Sequence, residues 1–502
     1  MMFEYIGKTR SVPFLSRGIL FAVVLALFGC GTHNSTTTTT TPPPQTLQPL
    51  ANQPTDGAGL AFLLTDGSVM FQGKNLSDWS KLTPDEFGNY AKGTWSPVAS
   101  LPAGYAPQYF ASAVLANGRV VIVGGEYNNG NFVLTNQAAI YDPLADTWTP
   151  LAPPVGWDYI GDSPSAVLPN GQFLVGRKLD MQMAVLDPAT LQWTAAGSAD
   201  KSDFNAEEGW TLLPDGSLLT VDVKNAPNSE RYISSIGTWI SAGSTIVDLH
   251  LPGSGCLVYG GGCYNPPGEV GPAVLRPDGT VFATGAKSTA GPGHTAVYIP
   301  PTVPTGAGTW TAGPDFPNND NAGDSFAVLL PSGNVLVEGN SGTLYEFDGQ
   351  KFISGSQVAP GSSLLVLPSA DVIVGGATVQ ISPAAGNPLA SWSPAITTFP
   401  ASVTRGATYS VSGTQFNGLS QAAGFGDENE TATNYPLVRI TNQATGHVFY
   451  ARTHDHSTMA VATGGLIVST NFDVPSGMET GASSLQVVAN GIASVGVNIT
   501  VN

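Results

Sequence analysis

Along most of the chain, a short apolar run is closed by a polar turn that ends in glycine, and a second apolar run follows. The phrase recurs at Ala61 to Gly67, Ala113 to Gly118, Ala166 to Gly171, Thr211 to Gly216, Ala273 to Gly279 and Val328 to Gly333. A seventh copy, Leu365 to Ala370, has lost its glycine. Asp-Gly and Asn-Gly supply the positive φ that tight hairpins require, so each copy predicts a β-hairpin. Between 19 and 31 residues after each turn comes an aromatic: Trp95, Trp148, Trp193, Trp239, Trp310, Phe352 and Trp392. Two more strands fit between, as in Ala139 to Pro143 followed by Thr147 and Trp148. The pattern predicts four strands per unit and seven units.

One such unit cannot bury both faces of its sheet, whereas seven packed radially can, which is the logic of a β-propeller over residues 51–394. The recurring tryptophans then read as packing between neighbouring sheets, because a ligand platform has no reason to repeat in every unit. After Pro400 the period stops. Alternating segments at Tyr409, Leu437, Val448 and Leu485 suit an immunoglobulin-like β-sandwich over residues 395–502. The expected fold is all-β, a seven-bladed β-propeller followed by that sandwich. Gly 60 and Pro 39 beside 42% hydrophobic residues agree with many short strands and tight turns.

Gly124-Gly125 after a second strand, then Tyr141 and Trp148, resemble the kelch repeat. A kelch propeller with a sandwich behind it resembles the galactose oxidase and glyoxal oxidase family of secreted copper-radical oxidases. That resemblance implies a copper ion held by two tyrosines and two histidines, with one tyrosine crosslinked to a cysteine. Counted from the hairpin glycine, the crosslinked tyrosine falls on Tyr109. The cysteine position falls on Gly59-Leu60-Ala61, and the Tyr-His pair falls on Gly323-Asp324. Without the thiol there is no thioether cofactor, and without the Tyr-His pair there is no square-planar copper site of that type. The resemblance therefore implies the scaffold and not its chemistry.

The same register exposes a different set. Nine residues before the hairpin glycine stand Tyr109, Asp162, Glu207 and Asp324, with Glu208 and Glu269 within one position. Equivalent positions on innermost strands share one height, so these side chains are expected to ring one end of the central channel. Crowded carboxylates repel unless a cation neutralises them, some are protonated, or water separates them. Ca²⁺ suits an oxygen-rich site. His454 and His456 lie in a His-x-His pattern that on a strand points both imidazoles one way. Joined to Asp162, Glu207 and Asp324, they would make a mixed site for Zn²⁺, Mn²⁺ or Cu²⁺, and His447 is a further candidate. Solvated carboxylates and a polar interdomain contact are the plainer alternatives. The acidic stretch Asp427 to Glu430 reads as a solvated loop, and no partner for His294 is legible.

Asp+Glu 36 against Lys+Arg 18 leaves a net charge of -18, which argues against nucleic acid as a partner. Lys8, Arg10 and Arg17 precede the apolar run Ile19 to Phe28, and Leu27 to Cys30 resembles a lipoprotein cleavage box. Residues 1–30 are then a signal segment ending at a lipidated Cys30, and the Thr/Pro-rich residues 31–50 a tether. A plain signal peptide is the alternative. Gly31 after the cysteine favours an outer-membrane or surface location. Cys256 and Cys263, in a glycine-rich stretch, are expected to close a disulfide. No Gly-x-Ser-x-Gly elbow, phosphate loop or zinc-protease helix motif is present. The expectation is an exported, membrane-anchored binding module for a carbohydrate, polymer or protein, helped by exposed aromatics at Gly156 to Tyr159. The alternative is a metal-dependent enzyme on an oxidase-like scaffold.

Overall fold

Every glycine turn read from the sequence lies between two paired antiparallel strands. Their φ angles fall between 76° and 86°, and Ala370 adopts 73° in the copy that lost its glycine. These features come from a computed structural model that describes residues 46–253, 257–259, 262–264, 268–286, 291–383, 386–425 and 430–502. The signal segment, Cys30, most of the tether and Cys256 lie outside the described residues, and with Cys256 the expected disulfide to Cys263.

Each hairpin supplies the two inner strands of a four-stranded antiparallel sheet. The second sheet runs Ala111–Val114, Val120–Val123, Ala138–Asp142 and Thr147–Leu151. The same order repeats in the sheets that begin at Ala61, Ser165, Thr211, Ala273 and Ala327. The last sheet takes Leu364–Val366, Val372–Val374 and Gln380–Ser382 from one stretch and its outer strand, Gln48–Pro49, from the far end of the chain. Gln48 pairs with Ile381. The Gln53 amide reinforces this seam, donating to Val379 O at 3.0 Å and accepting from Val379 N at 2.8 Å. Residues 48 and 49, assigned to the tether by composition, thus belong to the body. Leu364–Val366 lies beside Ala61–Leu63, so the last inner strand meets the first and the arrangement is propeller-like.

The periodic tryptophans join neighbouring sheets. Trp148 Nε1 donates to Ala99 O at 3.1 Å, Trp193 Nε1 to Ala152 O at 2.8 Å and Trp310 Nε1 to Ala242 O at 3.1 Å. Ala99 and Ala152 lie just past the outer strand of the preceding sheet, and Ala242 lies within it. A ring that must be buried while its N–H finds an acceptor makes a specific seam. Trp392 departs from the pattern, since it lies in a 3₁₀ turn, Ala390–Trp392, beyond the last sheet.

After residue 394 a curled sheet, with its own core around Val411, Val438, Phe472 and Leu485, covers the hairpin-turn end of the ring. Thr453 N donates to Thr65 O and Arg452 Nη2 to Asn117 O, both acceptors lying in inner hairpin turns. Gly67 is pressed against the Tyr450 ring, where an added Cβ would meet Cγ at 2.4 Å while φ stands at 76°. Gly67→Ala is expected to cost about 1–3 kcal/mol through overpacking and the left-handed backbone. Urea unfolding measures it, and an unchanged midpoint would show that this contact contributes nothing. From the same domain, residues 417–425 and 430–436 enter the ring. Ala423–Gly424 adds a strand to Ala327–Leu329, Gln421 Oε1 accepts from Leu212 N, and the Tyr435 hydroxyl donates to Leu63 O.

Candidate functional site

At the end of the ring opposite the hairpin turns, the inner strands begin at a cavity of about 770 Å³. Tyr109, Asp162, Glu207, Glu269 and Asp324 line it, so the register that singled them out places these five together. Tyr109, Glu207 and Asp324 have φ of 53°, 58° and 48°. A left-handed backbone costs an ordinary L-residue about 1–2 kcal/mol, and glycine would take it without that penalty. Three bulky polar residues held there at equivalent positions are a reason to look for function. The Phe425 ring, carried in by the segment from the C-terminal domain, forms part of the wall and packs on Phe326 at 4.6 Å.

Lys178 and Glu126, which the register did not single out, complete the electrostatics. The Lys178 ammonium is buried beneath the cavity and bonds to both Asp162 and Glu207. Burial alone would lower its pKa, yet these two carboxylates hold it above the usual lysine range. Burial pushes Asp162 well up despite Lys178. Glu126 is raised by burial and by Glu207 and Asp324, with Lys178 opposing, and Asp324 is raised by burial and by Glu207. The Glu126 carboxylate in turn raises Tyr127, whose ring meets Tyr109 edge-on at 6.1 Å. Asp162 Oδ1 is buried and has no hydrogen-bond partner. One internal ammonium thus relieves part of the repulsion foreseen among the carboxylates.

The remaining expectations are placed elsewhere. Glu208, one residue past left-handed Glu207, turns to the other side of the chain and is buried against Lys201 Nζ at 2.8 Å. The strand Val448–His454 ends at the first histidine, and Asp455 has φ of 53°, which breaks the alternation that would align the imidazoles. His454 bonds to Asp455 and Asp473. His456 is buried at the hairpin-turn end, its N bonded to Ala116 O and its Nδ1 to Thr470 Oγ1, and burial lowers its pKa to about 3. His447 faces Glu479 and His294 faces Asp315. None of these reaches the cavity, so the mixed carboxylate-histidine metal site is corrected. Among the described residues no three His, Cys, Asp or Glu side chains converge to hold a metal ion. Trp157 and Tyr159, expected to be exposed, are 7% exposed, with the Arg177 guanidinium 4.7 Å from the Tyr159 centroid.

Gly59, Leu60, Tyr109 and Asp324, the positions aligned with the oxidase copper chemistry, all line this one cavity. Among the described residues it carries no imidazole and no thiol, so the donor set does not fit that copper group.

No protein-family model matches the chain, and no curated protein matches it. Among solved structures, the chain is similar to a fungal alcohol oxidase of the AA5 family in complex with copper. That match has a TM-score of 0.51 and 14% identity, and covers 92% of this chain and 99% of the oxidase. Virginiamycin B lyase from Staphylococcus aureus matches with a TM-score of 0.44 and 12% identity, covering 67% of this chain and 97% of the lyase. YCF48 bound to D1 peptide matches with a TM-score of 0.41 and 12% identity, over 68% and 98% of the two chains. At these identities the first likeness is one of fold, an all-β propeller-like scaffold.

Proposed function

We propose that this chain is an exported seven-bladed kelch-type propeller with an immunoglobulin-like C-terminal domain, anchored by a lipid on Cys30, whose channel-end cavity binds a saccharide. The observation that carries the binding reading is the cavity itself. Its volume lies within the range of small-molecule sites. Tyr109, 41% exposed and held at positive φ, presents its ring beside carboxylates and the Gln108, Ser325 and Asn340 side chains. Ring faces pack on sugar C–H surfaces, while amides and carboxylates take hydroxyl hydrogens in a geometry that separates one sugar from another. Export and the lipid anchor are supported by the basic and apolar pattern that ends at Cys30. The alternative, a metal-dependent enzyme, lacks a converging ligand set among the described residues.

A glycan array probed with the purified protein tests the reading, followed by calorimetry on any hit. Tyr109→Gly is expected to weaken binding at least ~10-fold. It should also leave stability unchanged or raise it by up to about 1 kcal/mol, because glycine tolerates the left-handed backbone. Undiminished binding by this variant would remove Tyr109 from the site. An array without a hit would remove the saccharide.

A further inference from the structure

We propose that the ligand of this cavity carries a protonated amine, which identifies an amino sugar as the saccharide class; the inference rests on the reading of the cavity as a binding site. Five carboxylates line the space, namely Glu126, Asp162, Glu207, Glu269 and Asp324, and among the described residues the ammonium beneath it is that of Lys178, bonded to Asp162 and Glu207. Among the described residues, no arginine or histidine lines it. After Lys178 is shared between Asp162 and Glu207, the excess negative charge faces the cavity. Walls of low dielectric concentrate that field on whatever enters.

A second observation points to a donor that the protein does not itself supply. Asp162 is 3% exposed, lines the cavity, and keeps one carboxylate oxygen bonded to Lys178 while its Oδ1 has no partner. A neutral ligand that displaced water here would strip hydration from several carboxylates without replacing it. An ammonium brings three N–H donors and a compensating charge in one group. A metal ion is the poorer fit, because among the described residues no three acidic or histidine side chains converge on one point. Charge spread over about 770 Å³ suits an organic cation whose bulk fills the space. Tyr109, Tyr127 and Phe425 add aromatic surface at the same place, which favours a cation over an anion or a neutral group.

The test is calorimetry with the purified full-length protein in about 150 mM salt, which screens long-range attraction to the net charge. The probes are the glucosamine trimer, its fully N-acetylated counterpart and n-butylammonium. Removing the charge by acetylation is expected to weaken binding at least ~10-fold, and Glu126→Gln with Asp324→Asn is expected to abolish that difference. Both substitutions remove charges that burial disfavours, so the variant should fold, and its melting temperature checks this. Equal affinity for the two trimers overturns the amine and leaves the saccharide standing. Binding of n-butylammonium without either trimer keeps the amine and overturns the saccharide. Glucosamine trimer bound equally by parent and variant reports attraction to the chain's overall charge and overturns the site. Binding of none of the three overturns both readings.

Discussion

Lys178→Met is expected to remove about 3–5 kcal/mol of folding stability, the usual cost of leaving one partner of a buried ion pair uncompensated. The Lys178 side chain is 2% exposed, and its partners Asp162 and Glu207 are 5% and 19% exposed. Methionine keeps most of the volume, so the loss is electrostatic and not a cavity effect. With the ammonium gone, burial, Glu126 and Glu207 all favour a protonated Asp162. The deficit should therefore shrink as pH falls towards the carboxylate range, where protonation removes the repulsion. Adding Asp162→Asn and Glu207→Gln to Lys178→Met should restore most of the stability at neutral pH, because neutral amides need no counter-charge. Urea midpoints of the parent, single and triple variants at two pH values measure this. A single variant as stable as the parent, or a triple variant no better than the single, would show that Lys178 does not hold the acidic cavity together.

Lys178 was hard to find from the sequence for a definite reason. The register nine residues before the hairpin glycine holds Tyr109, Asp162, Glu207 and Asp324. Lys178 and Glu126 enter instead from just after the second strands, Phe173–Gly176 and Val120–Val123. In the most regular unit this slot is the Gly124-Gly125 pair, and Glu126 follows it directly. In the next unit Arg177-Lys178 follows Gly176. A charged pair in a slot that five of the other six units open with glycine was a legible departure from the repeat.

The hairpins were legible because their turn chemistry is local, and the sheet-joining tryptophans because they recur. Three features depended on distant pairing and were not. Gln48–Pro49 is too short and too polar to show as a strand, and only its partner Gln380–Ser382 makes it one. The segment at 417–436 shows little alternation, since its strand Ala423–Gly424 exists through Ala327–Leu329. The His-x-His pair looked like a ligand only while the strand was assumed to run through Asp455, whose left-handed φ turns His456 inward. Periodicity reports side-chain direction within an element and fails where the element ends.

A second buried charge cluster sets a pH dependence that Asp222→Asn should largely remove. Lys201 is buried in the fourth sheet's surroundings with Glu208 at 2.8 Å and Glu230 at 3.5 Å, and its ammonium lies 4.3 Å from the Trp239 centroid. Asp222 acts on the same ammonium and Asp203 on Glu208 and Asp222, so four carboxylates share a cluster in which Lys201 bonds to two. Burial pushes Asp222 up to about 8, with Glu230 and Glu208 adding to it, and burial pushes Glu208 up to about 7 despite Lys201. Unfolded, both carboxyls titrate near about 4. Between about 4 and 8 the folded chain therefore binds more protons than the unfolded one, and stability falls as pH rises. The asparagine cannot ionise, so the variant loses that part of the slope and should exceed the parent at pH 8 by on the order of 3 kcal/mol. At pH 4 the two should be close. Asp162, Glu126 and Asp324 contribute slopes of the same sign to both proteins, so the difference between the two curves isolates Asp222. Urea midpoints at pH 4, 6 and 8 measure it. Parallel curves would mean that Asp222 is already ionised in the folded chain, with Lys201 neutralising it more fully than its burial suggests.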